Sequence, residues 1–138
     1  MRAQECFWSA IGHSGFVRGI APDADGNTFY TCGDDRMIKQ WALQPTTTLS
    51  LDDNTEIKPL KTYMSEHTLT GIDHHWVDRQ FASSGDAISL WDATRSDPIH
   101  TYKWTVDSIL SVKFNPAEVY IDSSDARYYC YHNHYCYC

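Results

Sequence analysis

Apolar and polar residues alternate in short runs, and the runs come in matching sets. FVRGIAP (Phe16 to Pro22), LTGIDHH (Leu69 to His75) and ILSVKFNP (Ile109 to Pro116) each place a small residue before an aliphatic one, Ile20, Ile72 or Val112. The first two are followed by NTFYTCG (Asn27 to Gly33) and RQFASSG (Arg79 to Gly85). Tight turns come next at Asp34-Asp35 and Gly85-Asp86, where aspartate and glycine tolerate turn geometry. A third run closes each set, Met37 to Trp41 and Ala87 to Trp91. A period of two predicts strands with one buried face. No segment holds apolar residues at i, i+3, i+4 and i+7 for three turns, so no helix is predicted. The pattern gives an all-β chain.

The spacing of the sets narrows this. Ile20, Ile72 and Val112 are 52 and then 40 positions apart. The excess in the first interval falls on QPTTTLSLDDNTEIKP (Gln44 to Pro59), a polar, acidic stretch bounded by prolines that predicts an exposed loop. Gly12-His13 stands 28 positions ahead of Trp41, and Trp91 is followed by Asp92. A Gly-His start and a Trp-Asp finish, about 40–45 residues per unit, resemble a WD-repeat propeller blade. That resemblance is preferred over a generic antiparallel meander because the Gly-His, turn aspartate and Trp fall at the right mutual spacing. It implies a partial β-propeller across residues 1–118, with about two complete blades at 12–43 and 67–95 and parts of two others. A further blade would start at 107–118, and an irregular tail would fill 119–138.

The same resemblance gives His13, Thr31, Asp35 and Trp41 a structural role as a buried hydrogen-bonded tetrad. Their chemistry suits it. Indole only donates, a hydroxyl relays, and neutral histidine donates with one nitrogen and accepts with the other. Thr31, His13 and Asp35 also have the composition of a nucleophile, base and acid, but the internal staple is the favoured reading. No residue is assigned to catalysis, to a metal or to a cofactor. In the second set the turn is shorter, with 6 positions from Gly85 to Trp91 against 8 from Gly33 to Trp41. Asp86 is then out of register with Asp35, His67 follows Glu66 where glycine is expected, and no second tetrad is assigned. Asp73-His74-His75-Trp76 has metal-like residues, but adjacent histidines on a strand point to opposite faces, so a polar strand end is favoured. Trp91-Asp92-Ala93-Thr94-Arg95 resembles the Trp-Asp-x-Arg edge of propellers that dock on cullin-type ubiquitin-ligase adaptors, with the arginine one position late. It makes Trp91, Asp92 and Arg95 candidate adaptor contacts.

Composition removes several classes of function. The formal charge is −7, and the 11 Lys and Arg are scattered. Direct nucleic-acid binding by this segment is therefore not expected, because a phosphate backbone calls for a basic surface. No apolar stretch reaches signal-peptide or membrane-spanning length, so a soluble chain with no membrane partner is expected. Five cysteines, with Cys130, Cys136 and Cys138 crowded at one end, do not form a disulfide framework and point to a reducing compartment. The tail VYIDSSDARYYCYHNHYCYC is compositionally foreign to what precedes it and is read as non-native sequence. Its Cys130-x-His132-x-His134-x-Cys136-x-Cys138 lacks the ligand spacing of structural zinc sites.

Taken together, FVRGI, TCGDDRMIKQW, TGIDHHW, FASSGDAISLWD, SDPI and DSILSVKFNP resemble the WD-repeat and SOF-domain-containing proteins, from about Glu5 to Pro116. The resemblance implies a nucleolar scaffold of the small-subunit processome, with processome proteins and a small nucleolar ribonucleoprotein as partners in 18S rRNA processing. For some relatives it implies a substrate receptor of a cullin-type ubiquitin ligase. It also implies further blades and a basic SOF tail, so this chain is expected to be a fragment.

Overall fold

The computed structural model describes residues 10–43, 57–103, 108–114, 129–131 and 135–137. It is all-β, with no helix among the described residues. Strands β1 (Val17–Pro22), β2 (Thr28–Gly33), β3 (Met37–Ala42) and β4 (Lys61–Met64) form one antiparallel sheet in sequential order. A second sheet repeats the plan with β5 (Leu69–His74), β6 (Gln80–Gly85), β7 (Ala87–Asp92) and β8 (His100–Lys103). Strand β9 (Ser111–Lys113) begins a third layer. Most of the predicted loop, residues 44–56, lies outside the described residues, and the chain re-enters the same sheet through β4.

Each sheet thus gains a fourth strand beyond the sequence-read blades 12–43 and 67–95. Both outer strands carry Thr-Tyr in the same place: Tyr63 pairs with Ile38, and Tyr102 pairs with Ile88. The first three strands were legible because glycine, aspartate and tryptophan punctuate them. The fourth has no such punctuation. Of the tail expected to be irregular, the described parts form a hairpin, β10 (Tyr129–Tyr131) with β11 (Tyr135–Tyr137), and β11 pairs in parallel with β9. Tyrosine is a strong strand former, which suits this pairing. The metal-like positions His132, His134 and Cys138 lie outside the described residues.

The sheets stack face on face. Ala21, Tyr30, Cys32, Ile38 and Tyr63 from the first meet Leu69, Ile72, Phe81 and Trp91 from the second in one core. Aromatic rings dominate it. Tyr30 and Phe81 lie 4.7 Å apart between centroids, and Tyr63 meets Phe81 edge-on at 5.1 Å. Such pairs add about 0.5–1.5 kcal/mol each beyond burial of their area. The opposite face of the second sheet packs Ala82 and Ile88 on Ile109 and Val112. Contact between sheets concentrates on the inner strands β1, β5 and β9. Their approach needs small residues: a Cβ on Gly19 would lie 3.1 Å from Cys32 Sγ and 3.2 Å from Ile72. Layers that touch along their inner strands and repeat in this way build a partial propeller.

Candidate functional site

The turn between β2 and β3 assigns different work to its two aspartates. Asp34 faces outward and takes two hydrogen bonds from Arg18, at 2.8 and 2.7 Å. Asp35 faces inward, and its Oδ2 accepts from His13 Nδ1 at 2.8 Å and from the Ser14 amide at 3.1 Å. His13 Nε2 meets Thr31 Oγ1 at 2.7 Å, and Trp41 Nε1 donates to that same oxygen at 2.8 Å. Indole can only donate, so Thr31 accepts from it. With His13 as the Nδ1–H tautomer, Nε2 accepts the Thr31 proton and Nδ1 donates to Asp35. Every member has a partner, and the order runs one way, from Trp41 through Thr31 and His13 to Asp35.

Electrostatics favour this order. Burial pushes the Asp35 carboxyl up, but hydrogen bonds from His13 and from the Met37 and Ser14 amides outweigh it and hold the group below its ordinary value. The local backbone bears a strain: Arg36 sits at φ 62°, a left-handed conformation that costs a non-glycine residue about 1–2 kcal/mol. What the arrangement offers chemically is rigidity. The Thr31 hydroxyl is buried, with the indole of Trp41 on one side and the imidazole of His13 on the other.

The second sheet carries half of the same device. Trp91 Nε1 donates to Ser83 Oγ at 2.9 Å, with both groups buried. Ser83 is the counterpart of Thr31, two residues after the phenylalanine that pairs with each tryptophan. That Phe-x-Thr and Phe-x-Ser match was present in NTFYTCG and RQFASSG and could have identified it. The histidine end stays open. His67 Nδ1 is 3.5 Å from Asp86, whose side chain is 56% exposed where that of Asp35 is 4% exposed. The shorter turn explains the difference, since Gly33–Met37 bridge Cys32 to Ile38 whereas only Gly85–Ala87 bridge Ser84 to Ile88.

His74 and His75 separate as strand geometry predicts. His74 is buried between the sheets, its ring 5.2 Å from that of Tyr30 and its Nε2 3.6 Å from Asp23. His75 turns to the loop, where Nδ1 accepts from the amides of Val77 at 3.2 Å and Asp78 at 2.9 Å. Trp76 stacks on it at 4.3 Å. Among the described residues no group of three or more His, Cys, Asp or Glu is placed to hold a metal ion.

The three candidate adaptor contacts have different surroundings. Trp91 is buried and offers no surface to a partner. Asp92 is half-buried and occupied, accepting from Thr94 Oγ1 at 2.6 Å and the Thr94 amide at 2.8 Å, which holds its carboxyl below the usual range. Arg95 is exposed at the tip of the turn. The first sheet grips this turn: Lys61 Nζ donates to the carbonyls of Ala93 at 2.8 Å and Arg95 at 3.1 Å, and Tyr63 donates to Ala93 at 2.9 Å. Burial pushes the Tyr63 phenol up to about 12, so it keeps the proton it donates.

Residues 4–42 match the family described as WD domain, G-beta repeat. Over most of its length the chain is similar to proteins named DDB1- and CUL4-associated factor 13. It is 42% identical over 121 residues to the one from Xenopus laevis, covering 88% of this chain and 26% of that protein. It is 40% identical over 123 residues to the one from Gallus gallus and to the one from Homo sapiens, covering 89% of this chain and 26% of either. The chain spans about a quarter of the length of these relatives. With its indole, hydroxyl, imidazole and carboxylate bonded in series inside the first of two stacked four-stranded sheets, the chain carries a WD domain, G-beta repeat, in a partial β-propeller.

Proposed function

We propose that the chain is a non-enzymatic protein-interaction module that associates with a cullin-type ubiquitin ligase, as part of a substrate receptor. The observation that carries this reading is its likeness, at 42% identity over 88% of the chain, to a protein whose name states association with DDB1 and CUL4. What supports the non-enzymatic half is that the Thr31, His13 and Asp35 constellation is buried, with Trp41 bonded to the hydroxyl that would have to meet a substrate. The exposed Arg95, on a turn gripped by Lys61 and Tyr63, is the proposed adaptor contact. Trp91 supports that turn from beneath without touching the partner.

The second reading is the processome scaffold. Its support is the resemblance to the WD-repeat and SOF-domain-containing proteins in TGIDHHW and in the short second turn, and it would put the protein in the nucleolus with pre-rRNA. The names of the relatives favour the ligase reading. Affinity purification of the full-length protein separates the two. The expected outcome is recovery of DDB1 and CUL4, reduced by Arg95→Ala. Recovery of pre-rRNA and processome subunits without DDB1 sinks the ligase reading, and the converse sinks the scaffold.

A further inference from the structure

We infer that His74 is a proton-operated latch across the seam between the two sheets, with the Asp23 carboxylate as its partner. It does not depend on the ligase reading. Asp23 directly follows β1 in the first sheet, and His74 closes β5 in the second. The chemistry at His74 is lopsided. Its Nδ1 meets the His75 carbonyl oxygen at 2.6 Å, and a carbonyl only accepts, so Nδ1 carries the hydrogen. In the neutral ring Nε2 is then a bare lone pair. It lies 3.6 Å from Asp23 Oδ1, a second acceptor, and has no hydrogen-bond partner among the described residues. The His74 side chain is 1% exposed, so bulk water does not serve that nitrogen. An acceptor facing an acceptor inside the protein disfavours the closed seam. A proton on Nε2 reverses the sign, because the nitrogen becomes a charged donor aimed at a carboxylate.

Both halves of the latch are held in place. Thr28 Oγ1 donates to Asp23 Oδ2 at 2.8 Å, which leaves Oδ1 on the side of His74. The Asp23 amide donates to the Thr28 carbonyl at 2.9 Å, and the Gly26 amide donates to the Asp23 carbonyl at 3.0 Å. The imidazole stacks on Tyr30 at 5.2 Å and on Phe81 at 6.3 Å. The other titratable and charged groups nearby have different roles. Burial pushes the Tyr30 phenol up, so it stays neutral throughout the range in which an imidazole titrates. The positive charge of Arg79 reaches Tyr30 and, like burial, opposes a charge on His74. Asp73 is occupied by the Phe114 amide at 2.8 Å and by Lys113 at 3.6 Å, and His75 Nδ1 accepts from two amides. Among the described residues Asp23 is thus the one carboxylate within ion-pair distance of His74. Protonation therefore joins one sheet to the other. Its contribution to stability is present on the acid side of the His74 midpoint and fades as the pH rises through it, the reverse of Asp35.

The test follows hydrogen–deuterium exchange at the imidazole Cε1 of His74 in the full-length protein, read by mass spectrometry. That rate changes with protonation of the ring and gives a midpoint for this one residue. Asp23→Asn keeps the shape and an acceptor for Thr28, and it is expected to lower the midpoint by about one pH unit, a roughly tenfold loss of proton affinity. Thermal melts at about pH 6 and about pH 8 give the second readout, since imidazole changes charge between them. The wild type is expected to gain stability over Asp23→Asn at the lower pH, and this gain is expected to vanish in the His74→Phe background, which keeps an aromatic ring against Tyr30 and Phe81. Equal midpoints in wild type and Asp23→Asn overturn the latch. So does a wild-type ring that stays neutral down to about pH 5. If Asp23→Asn does not fold, His74→Phe decides alone: a pH profile of stability identical to that of the wild type overturns the latch, and a flatter one supports it.

Discussion

Thr31 is the residue on which the first sheet's polar network turns, because its oxygen serves both Trp41 and His13. Replacing it with valine would keep the volume and leave a buried indole N–H and an imidazole nitrogen without partners. The expected cost is about 3 kcal/mol, since each stranded group costs about 1–3 kcal/mol. Ser83→Ala strands only the Trp91 indole, so it is expected to cost about 1–2 kcal/mol. Urea unfolding of the full-length protein measures both, and equal costs would mean that the link onward to His13 and Asp35 adds nothing. Asp35 makes the network pH-dependent. Its folded carboxyl lies below the ordinary value of 3.8, so its contribution is complete above that value and fades as the pH falls through the folded one. Asp35→Asn is therefore expected to flatten the acid limb of the stability profile. The tetrad positions came from the resemblance to a WD blade, since His13 lies ahead of β1 and no strand pairing fixes its distance from Trp41. The half-tetrad was missed because the Gly85–Ala87 turn shifts the count from tryptophan, although the count from phenylalanine is unchanged.

At the scale of elements, the outer strands depend on their neighbours more than on their own residues. Only Tyr63 of Lys61–Met64 is buried, and its ring faces the second sheet while its hydroxyl reaches Ala93. A strand that carries one inward side chain and no flanking glycine leaves little periodic signal in sequence, which is why β4 and β8 were not predicted. Their value is in joining the layers. Tyr63→Phe removes one hydrogen bond between sheets and is expected to cost about 1 kcal/mol. Cys32 reports on the same seam. It is buried between the sheets, and burial pushes its thiol up to about 12, so it is unreactive while the seam is closed. Labelling of Cys32, followed by mass spectrometry, is expected to be about fivefold faster in Tyr63→Phe, the factor that corresponds to 1 kcal/mol. An unchanged rate would mean that the tyrosine hydroxyl does not hold the sheets together.

For the whole molecule, three equivalent aliphatics on the inner strands differ only in what lies beside them. Ile72 is 4% exposed under the first sheet, Val112 is 1% exposed under the second, and Ile20 is 65% exposed on the face with no described sheet against it. The same position is covered wherever a neighbouring sheet exists, which marks the outer face of the first sheet as a packing surface. Expressed alone, the chain is expected to self-associate at micromolar concentration through that face. Ile20→Asp is expected to shift sedimentation towards monomer, whereas Ile72→Asp is expected to unfold the chain. A monomeric wild type with a sharp cooperative melt would contradict this. The match of residues 4–42 to a WD repeat ends with β3 and leaves β4 out, so the unit written in the sequence is offset by one strand from the sheet built in space. This offset governs how such a gene can lengthen. A duplication running from the end of one tryptophan strand to the end of the next copies an outer strand first and three inner ones after it. Each inserted copy therefore begins by completing the sheet already there, and successive sheets are interlocked by inheritance as well as by packing.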